Sequence, residues 1–183
     1  MTNGPWAALT SGRMMGHTPE LDRRKGGDPM ATRAVVDDFL AQRHLALVGA
    51  SRNPKAFSST VARELRGHGY TVDAVNPAAD EIDGQRCFRS VTDLPSEVGG
   101  AIIMVSADRA ADAVQACIDR GIPRIWLHRG VGPSSVSDAA VDLCRRRRVP
   151  VVDGECPLMF VEPAGAVHRI HRFERKLTGR LPT

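Results

Sequence analysis

The 183-residue sequence predicts a single α/β domain, doubly wound, with a mostly parallel sheet and helices on both faces. Three observations carry this prediction. Short continuous apolar runs, such as 45–49 (LALVG) and 101–105 (AIIMV), read as strands buried on both sides. Segments of helical period alternate with them. Glycine or proline punctuates the junctions.

Residues 1–29 hold Gly4, Pro5, Gly12, Gly16, Pro19, Gly26, Gly27 and Pro29 without a sustained period, and are expected to be a disordered extension. Met30 directly precedes the first patterned segment, as a later start codon would. From there "ATRAVVDDFLAQRH" puts Val35, Val36, Phe39 and Leu40 on one helical face. A strand follows at 45–49, then a polar loop with Pro54, then a helix at about 58–67 with Ser58 and Ser59 as N-caps. Gly67 and Gly69 stand where that helix should be capped at its C-terminus. The second strand spans 71–75, a weak short one lies near Arg86–Phe88, and 101–105 is the next. A helix at about 108–119 stops at Gly121, and 124–128 (RIWLH) is again strand-like. The third crossover helix, about 134–147, has Ser134, Ser135 or Ser137 as N-cap and Asp138 near its first turn. It closes on "CRRRR" (144–148), where cations complement the macrodipole without any partner. The last strand is expected at 149–152. The domain therefore runs from 30 to 156, and 157–183 form a basic, partly helical tail. That tail holds Arg169, Arg172, Arg175, Lys176 and Arg180 against Glu162 and Glu174, most of the chain's net charge of +4.

Composition excludes several classes. Aromatic residues are only 4% of the chain, too few for rings that stack on successive nucleobases. No apolar run approaches the roughly 18–20 residues that cross a bilayer, and the first residues lack the pattern of a secretory signal. The four cysteines form no CxxC pair, so a cytoplasmic, reduced protein is the economical reading. A nearly neutral body with a basic tail argues against a whole-surface nucleic-acid binder, and leaves homo-oligomerisation open.

In sheets of this type ligands sit at the carboxyl ends of the strands, near the reversal of strand order. That places Gly49-Ala50-Ser51, Asn76-Pro77, Ser106, Arg129-Gly130 and Asp153-Gly154 on the ligand edge. Gly49 and Ala50 let backbone come close to a ligand, and the helix beginning near Ser58 offers its amides to an anion. Arg52 or Lys55 adds charge-assisted bonds to phosphate. The loop "GASRNPKAFSS" has one glycine, not G-x-G-x-x-G, and the second strand ends "VDAVNP" with no carboxylate at its tip. Asp73 comes three residues too early and reads as a solvent or sheet-edge residue. No G-x-x-x-x-G-K-[ST] is present either.

The ordered set "VGASRNP", "GYTVDAVNP", "EIDGQRCFRSVTDLP", "AIIMVS" and "RIWLHRGV" resembles the small bacterial CoA-binding proteins of the YccU-like family. Their Rossmann-like nucleotide-binding domain is similar to that at the start of the succinyl-CoA synthetase alpha subunit. The resemblance covers about residues 31–156. It implies coenzyme A as ligand, with the diphosphate wrapped by Gly49, Ala50, Ser51 and Ser58, and the adenosine beside Asn76 and Pro77. It also implies Val105, Ser106, Gly130 and Val131 as pocket lining. The sequence departs from the family pattern at its end, where "VVDGECPLMF" keeps a cysteine and the chain continues.

No catalytic constellation stands out, so a free-standing binder of CoA or an acyl-CoA is the leading expectation. His128, at the end of "RIWLH", reads as a polar strand-end residue, with acid–base work as the alternative. An NADP-dependent oxidoreductase would use that same edge, with His128 as acid and Arg52 and Lys55 on the 2′-phosphate. Cys156 is a candidate thiol site able to form a mixed disulfide with CoA, and Cys87 is its rival. Cys117 and Cys144 fall in helices and are expected to be buried. His168, His171 and Glu174 fan around a helix and read as a solvated face, not a metal site. Regulatory contact with nucleic acid or a membrane surface through the tail is the remaining alternative.

Overall fold

The computed structural model describes residues 32–129 and 134–161. The expected extension (1–29), the tail beyond Val161 and the loop holding Gly130 and Val131 lie outside them. Helix α1 (Arg33–Leu40) is capped by Thr32 and buries Val36 and Phe39. Strand β1 (His44–Val48) leads to α2 (Phe57–Gly67) and β2 (Thr71–Val75). Strands β3 (Glu81–Ile82) and β4 (Gln85–Phe88) follow, then a 3₁₀ turn, β5 (Gly100–Ile103) and α3 (Ala107–Asp119). The chain then forms β6 (Ile125–His128), α4 (Asp138–Arg146), β7 (Val151–Glu155) and a 3₁₀ turn at Pro157–Met159.

The seven strands lie in the order β3-β4-β2-β1-β5-β6-β7, and only β3 runs antiparallel to its neighbour. Without β3, this is the 3-2-1-4-5-6 order of a Rossmann-type sheet, reversing between β1 and β5. Alternate residues of β1 feed two cores. Leu45 and Leu47 join the cluster under α1 and α2, whereas Ala46 and Val48 join the one under α3 and α4. Burial on both faces explains why the strands read as unbroken apolar runs.

Four details depart from the sequence expectations. First, β3 was not foreseen; Asp83 (φ 53°) and Gly84 (φ 69°) make the tight Asp-Gly hairpin turn that joins it to β4. Second, β7 begins at Val151 and extends through Asp153, Gly154 and Glu155. Pro150 has no amide to give, and the Val149 amide is used to cap α4 through Cys144. Third, Leu158, Met159, Phe160 and Val161 are buried in the α1/α2-side core, so packed chain continues past the boundary expected at 156. Fourth, Gly67 ends α2 in helical geometry, and Gly69 (φ 80°) is the left-handed cap, as Gly121 (φ 85°) is for α3.

Helix α4 closes with the same pair of capping bonds, Arg148 to Arg145 and Val149 to Cys144, but its left-handed residue is Arg148 (φ 56°). A side chain there costs about 1–2 kcal/mol. Replacing it by glycine gives back about 0.4–1 kcal/mol through the freer unfolded chain. Arg148→Gly is therefore expected to stabilise the protein by roughly 0.5–1 kcal/mol, read as a higher urea midpoint; a lower midpoint contradicts the strain.

Candidate functional site: the carboxyl edge of the sheet

The β1–α2 loop is built by its own side chains. The Gly49 and Ala50 amides both donate to the Val75 carbonyl (3.0 and 3.2 Å), fastening the loop to the tip of β2. Gly49 has φ 95°, and a Cβ there would meet Val105 Cγ1 at 2.8 Å and the Met104 carbonyl group at 2.9 Å. Only glycine fits this close approach of β1 to the chain leaving β5, where the strand order reverses.

Ser58 and Ser59 are buried in the first turn of α2, two and three positions past the N-cap position expected of them; Ala56 occupies that position. Their hydroxyls turn back to the loop. Ser58 Oγ accepts from the Ser51 amide (3.0 Å), and Ser59 Oγ donates to the Asn53 carbonyl (2.9 Å). Asn53 Oδ1 in turn accepts from the Lys55 amide (3.0 Å). The amides of Ser51 and Lys55 are thus engaged internally. The first turn of α2 has no capping side chain; its Ser59 amide donates to the Ala56 carbonyl (3.1 Å), and the amides of Phe57 and Ser58 with the positive dipole end remain for an anion.

Asn76 holds the other side. Its Oδ1 accepts from the Ala78 amide (2.8 Å) and its Nδ2 donates to the Ala50 carbonyl (2.7 Å), so its side chain ties the two loops together. Pro77, half-buried, begins the turn that Asn76 closes. An open depression of about 630 Å³ is lined by Gly49, Ala50, Ser51, Arg52, Asn53 and Asn76. Arg52 therefore belongs to the depression, while Lys55 is exposed and outside its lining. Asn53 was not among the expected site residues; the Asn-Pro turn at 53–54 was the available signal.

Charge at this edge suits phosphate. Asp73, the middle residue of β2, pairs with His44 Nε2 (2.7 Å) at the start of β1, so it is part-buried and engaged, not a free solvent residue. Asp80, beyond β2, is held by both Arg89 nitrogens (2.6 and 2.7 Å), which keeps its carboxyl below the usual range.

On the far side of the reversal, Val105 is buried against Gly49, and its carbonyl accepts from Ser135 Oγ. Ser106 occupies the N-cap position of α3 without capping it; its hydroxyl accepts from Arg109 Nε (3.2 Å). Ser137, of the three serines considered, caps α4. His128 is buried under Phe57, the first residue of α2, with ring centroids 5.1 Å apart. Burial alone drives its pKa down to about 4, so the ring is neutral near pH 7.

Cys156 is buried beside Leu158 and Met159 in the core, and burial pushes its thiol up to about 11. Cys87 is buried and raised in the same sense, and Cys117 and Cys144 are buried between α3 and α4. The thiol site expected at Cys156 does not fit this placement, since burial shields the sulfur and keeps it protonated near neutral pH. Intact-mass measurement after incubation with CoA disulfide should show no adduct on Cys156 at neutral pH. Its alkylation rate should climb about tenfold per pH unit until the thiol ionises near 11; rapid neutral-pH labelling lost in Cys156→Ser contradicts this. Among the described residues no group of three His, Cys, Asp or Glu is arranged to hold a metal ion. His168, His171 and Glu174 lie outside them, and no helix among them is long and apolar enough to cross a membrane.

Residues 43–162 match the sequence signature of the CoA binding domain family. The chain belongs to that family. Its ligand is coenzyme A, and the edge fits it: a glycine cradle that a Cβ would fill, an open helix N-terminus and a basic side chain in one depression. The family member is 32% identical over 94 residues to the alpha subunit of an ADP-forming acetate–CoA ligase II from Pyrococcus furiosus (51% of this chain, 21% of the relative). It is 40% identical over 118 residues to an ADP-forming acetate–CoA ligase I from Archaeoglobus fulgidus (61% of this chain, 17% of the relative). The chain thus spans about a fifth of these relatives. A solved structure of a conserved hypothetical protein from Pyrococcus furiosus superposes with TM-score 0.58 at 30% identity, over 62% of this chain and 95% of that one.

Proposed function

We propose that this protein binds CoA or an acyl-CoA and holds it without transforming it. The reading rests above all on the cradle at Gly49, where the backbone of β1 passes against Met104 and Val105 beside the uncapped first turn of α2. When bound, CoA supplies a thiol that carries acyl groups. The chain's own residues supply binding and orientation. The amides of α2's first turn and the Arg52 guanidinium meet the diphosphate, and Ser58, Ser59 and Asn76 keep the loop in shape to present them. The β2 tip at Asn76 and Pro77 faces the adenosine, and Val105 and Ser106 lie on the side of the arm; the family resemblance extends that lining to Gly130 and Val131.

The absence of a catalytic role is inferred from the groups on this edge. His128 is neutral and poorly basic, and burial keeps the Cys156 thiol protonated.

Thermal unfolding with CoA, acetyl-CoA, NAD, NADP and ATP tests the reading. CoA species should raise Tm, and stabilisation by NAD or NADP with no response to CoA would overturn it. Arg52→Glu should weaken CoA binding roughly tenfold at low salt with little change in Tm of the free protein. Lys55→Glu should weaken it less, since Lys55 stands outside the depression. Unchanged CoA affinity in both variants would remove these side chains from the diphosphate site.

A further inference from the structure

Charge is distributed differently over the two helical layers. On α1, acid and base pair within the helix, Arg33 with Asp37 at 2.8 Å, and Asp38 is held by Arg124 at 2.6 Å. On the α3/α4 layer the two signs stand apart. Helix α3 buries Ala110, Ala113, Val114 and Cys117, so helical spacing turns Asp108, Asp112 and Asp119 outward along its opposite face, and all three are exposed. Helix α4 closes on the arginine run Arg145–Arg148, which is exposed throughout.

Helix dipoles account for only part of this pattern. They favour Asp108 in the first turn of α3, and Arg145 and Arg146 in the last turn of α4. Asp112 lies beyond the first turn, where the dipole has faded, and Asp119 is the last residue of α3, where the dipole disfavours a carboxylate. Nor does the chain neutralise these groups itself. Asp119 accepts from Gln115 Nε2 (2.6 Å), and Arg145 reaches Asp142 at 3.7 Å. Asp112, Arg146, Arg147 and Arg148 form no ion pair among the described residues.

Helices α3 and α4 both run from the carboxyl edge of the sheet to its opposite edge, since each follows a parallel strand. Asp108 and Asp112 therefore stand at one end of the layer, and the arginines stand at the other end on the neighbouring helix. We propose that this face is the interface of a symmetric dimer, in which Asp108 and Asp112 of each copy meet the arginine run of the other. A two-fold axis lying in the face, perpendicular to the line joining the two patches, exchanges them, so each ion pair forms twice. A second copy satisfies both patches at once. The basic tail of the chain would suit the aspartates but repel the arginines. Helical spacing also turns the half-buried Ala111, Ile118 and Leu143 toward the seam between α3 and α4, which gives the interface an apolar centre. The 13 residues of α3 span about 20 Å and neighbouring helices lie about 10 Å apart, so the face is at the small end of specific interfaces. The dimer is therefore expected to dissociate in the micromolar range. This inference is independent of the CoA-binding reading.

Sedimentation velocity of the full chain across the micromolar range tests it. The parent should dimerise at low salt and dissociate as salt rises, a readout that needs no variant. Asp112→Arg and Arg146→Glu each set like charges face to face at both symmetric contacts, and each should weaken the dimer roughly ten- to thirtyfold. An equimolar mixture of the two variants should recover dimers of near-parent affinity, because the reversed charges are then opposite again. The double variant should do the same on its own. Circular dichroism and Tm of each variant should match the parent, as both positions are exposed. A parent that stays monomeric at low salt overturns the proposal. So does a dimer that neither salt nor either reversal weakens, or a mixture of folded variants that fails to recover it.

Discussion

Gly49→Ala should destabilise the protein by about 2–5 kcal/mol and cut CoA affinity at least tenfold. Two penalties add at this position. The left-handed conformation (φ 95°) costs an alanine about 1–2 kcal/mol. Its Cβ would also stand 2.9 Å from the Met104 carbonyl carbon and oxygen, and 2.8 Å from Val105 Cγ1. Backbone atoms cannot rotate away as a side chain does, so β1 and the end of β5 must part, at about 1–3 kcal/mol. The parting moves Ala50 and Ser51 away from Asn76 and Ser58, whose hydrogen bonds shape the loop. Urea unfolding gives the first quantity, and calorimetric CoA titration at a temperature where the variant is fully folded gives the second. A variant as stable as the parent that binds CoA as tightly would show that the close approach has no role.

Trp126→Ala should cost about 3–5 kcal/mol, lowering Tm by roughly 10 °C. Trp126 is fully buried and stands edge-on between Phe39 of α1 (5.2 Å) and Phe160 of the chain after β7 (6.0 Å). Removing the indole opens a cavity at this three-way junction and leaves the buried Glu155 carbonyl without the indole Nε1 donor (2.8 Å). Trp126→Phe separates the two effects: it keeps most of the packing and should cost only about 1–2 kcal/mol. Equal losses in the two variants would mean that the hydrogen bond, not the volume, dominates. Because Trp126 is not among the residues lining the depression, Trp126→Phe should leave CoA affinity nearly unchanged.

Much of this architecture was legible because its signals are local. The buried strands declare themselves as apolar runs, since a parallel strand covered on both faces has no polar side to show. Helices α2 and α3 end within one residue of expectation because Gly69 and Gly121 are the residues that tolerate a left-handed cap. The CoA-binding family was carried by five motifs in fixed order, and the family match over 43–162 shows it. Local signals misled in two places. Ser58 and Ser59 have the chemistry of N-caps, yet the helix starts earlier and their hydroxyls serve the loop behind them. The "DGECP" stretch has the composition of a turn, yet its backbone completes the sheet beside β6 and buries Cys156.

The sequence by itself determined the alternation of strands and helices and the family to which the chain belongs, because periodicity, capping and motif order are properties of neighbouring residues. Tertiary structure alone decided what becomes of side chains whose partners lie far along the chain. Asp73 is engaged because β2 brings it to His44, 29 positions away, and Asn76 becomes a tie because Ala50 lies 26 positions before it. His128 and Cys156, equally plausible as reactive groups when read in line, are silenced by burial beneath Phe57 and beside Leu158 and Met159. Desolvation depends on everything that surrounds a group in space, and no short window of sequence contains that shell.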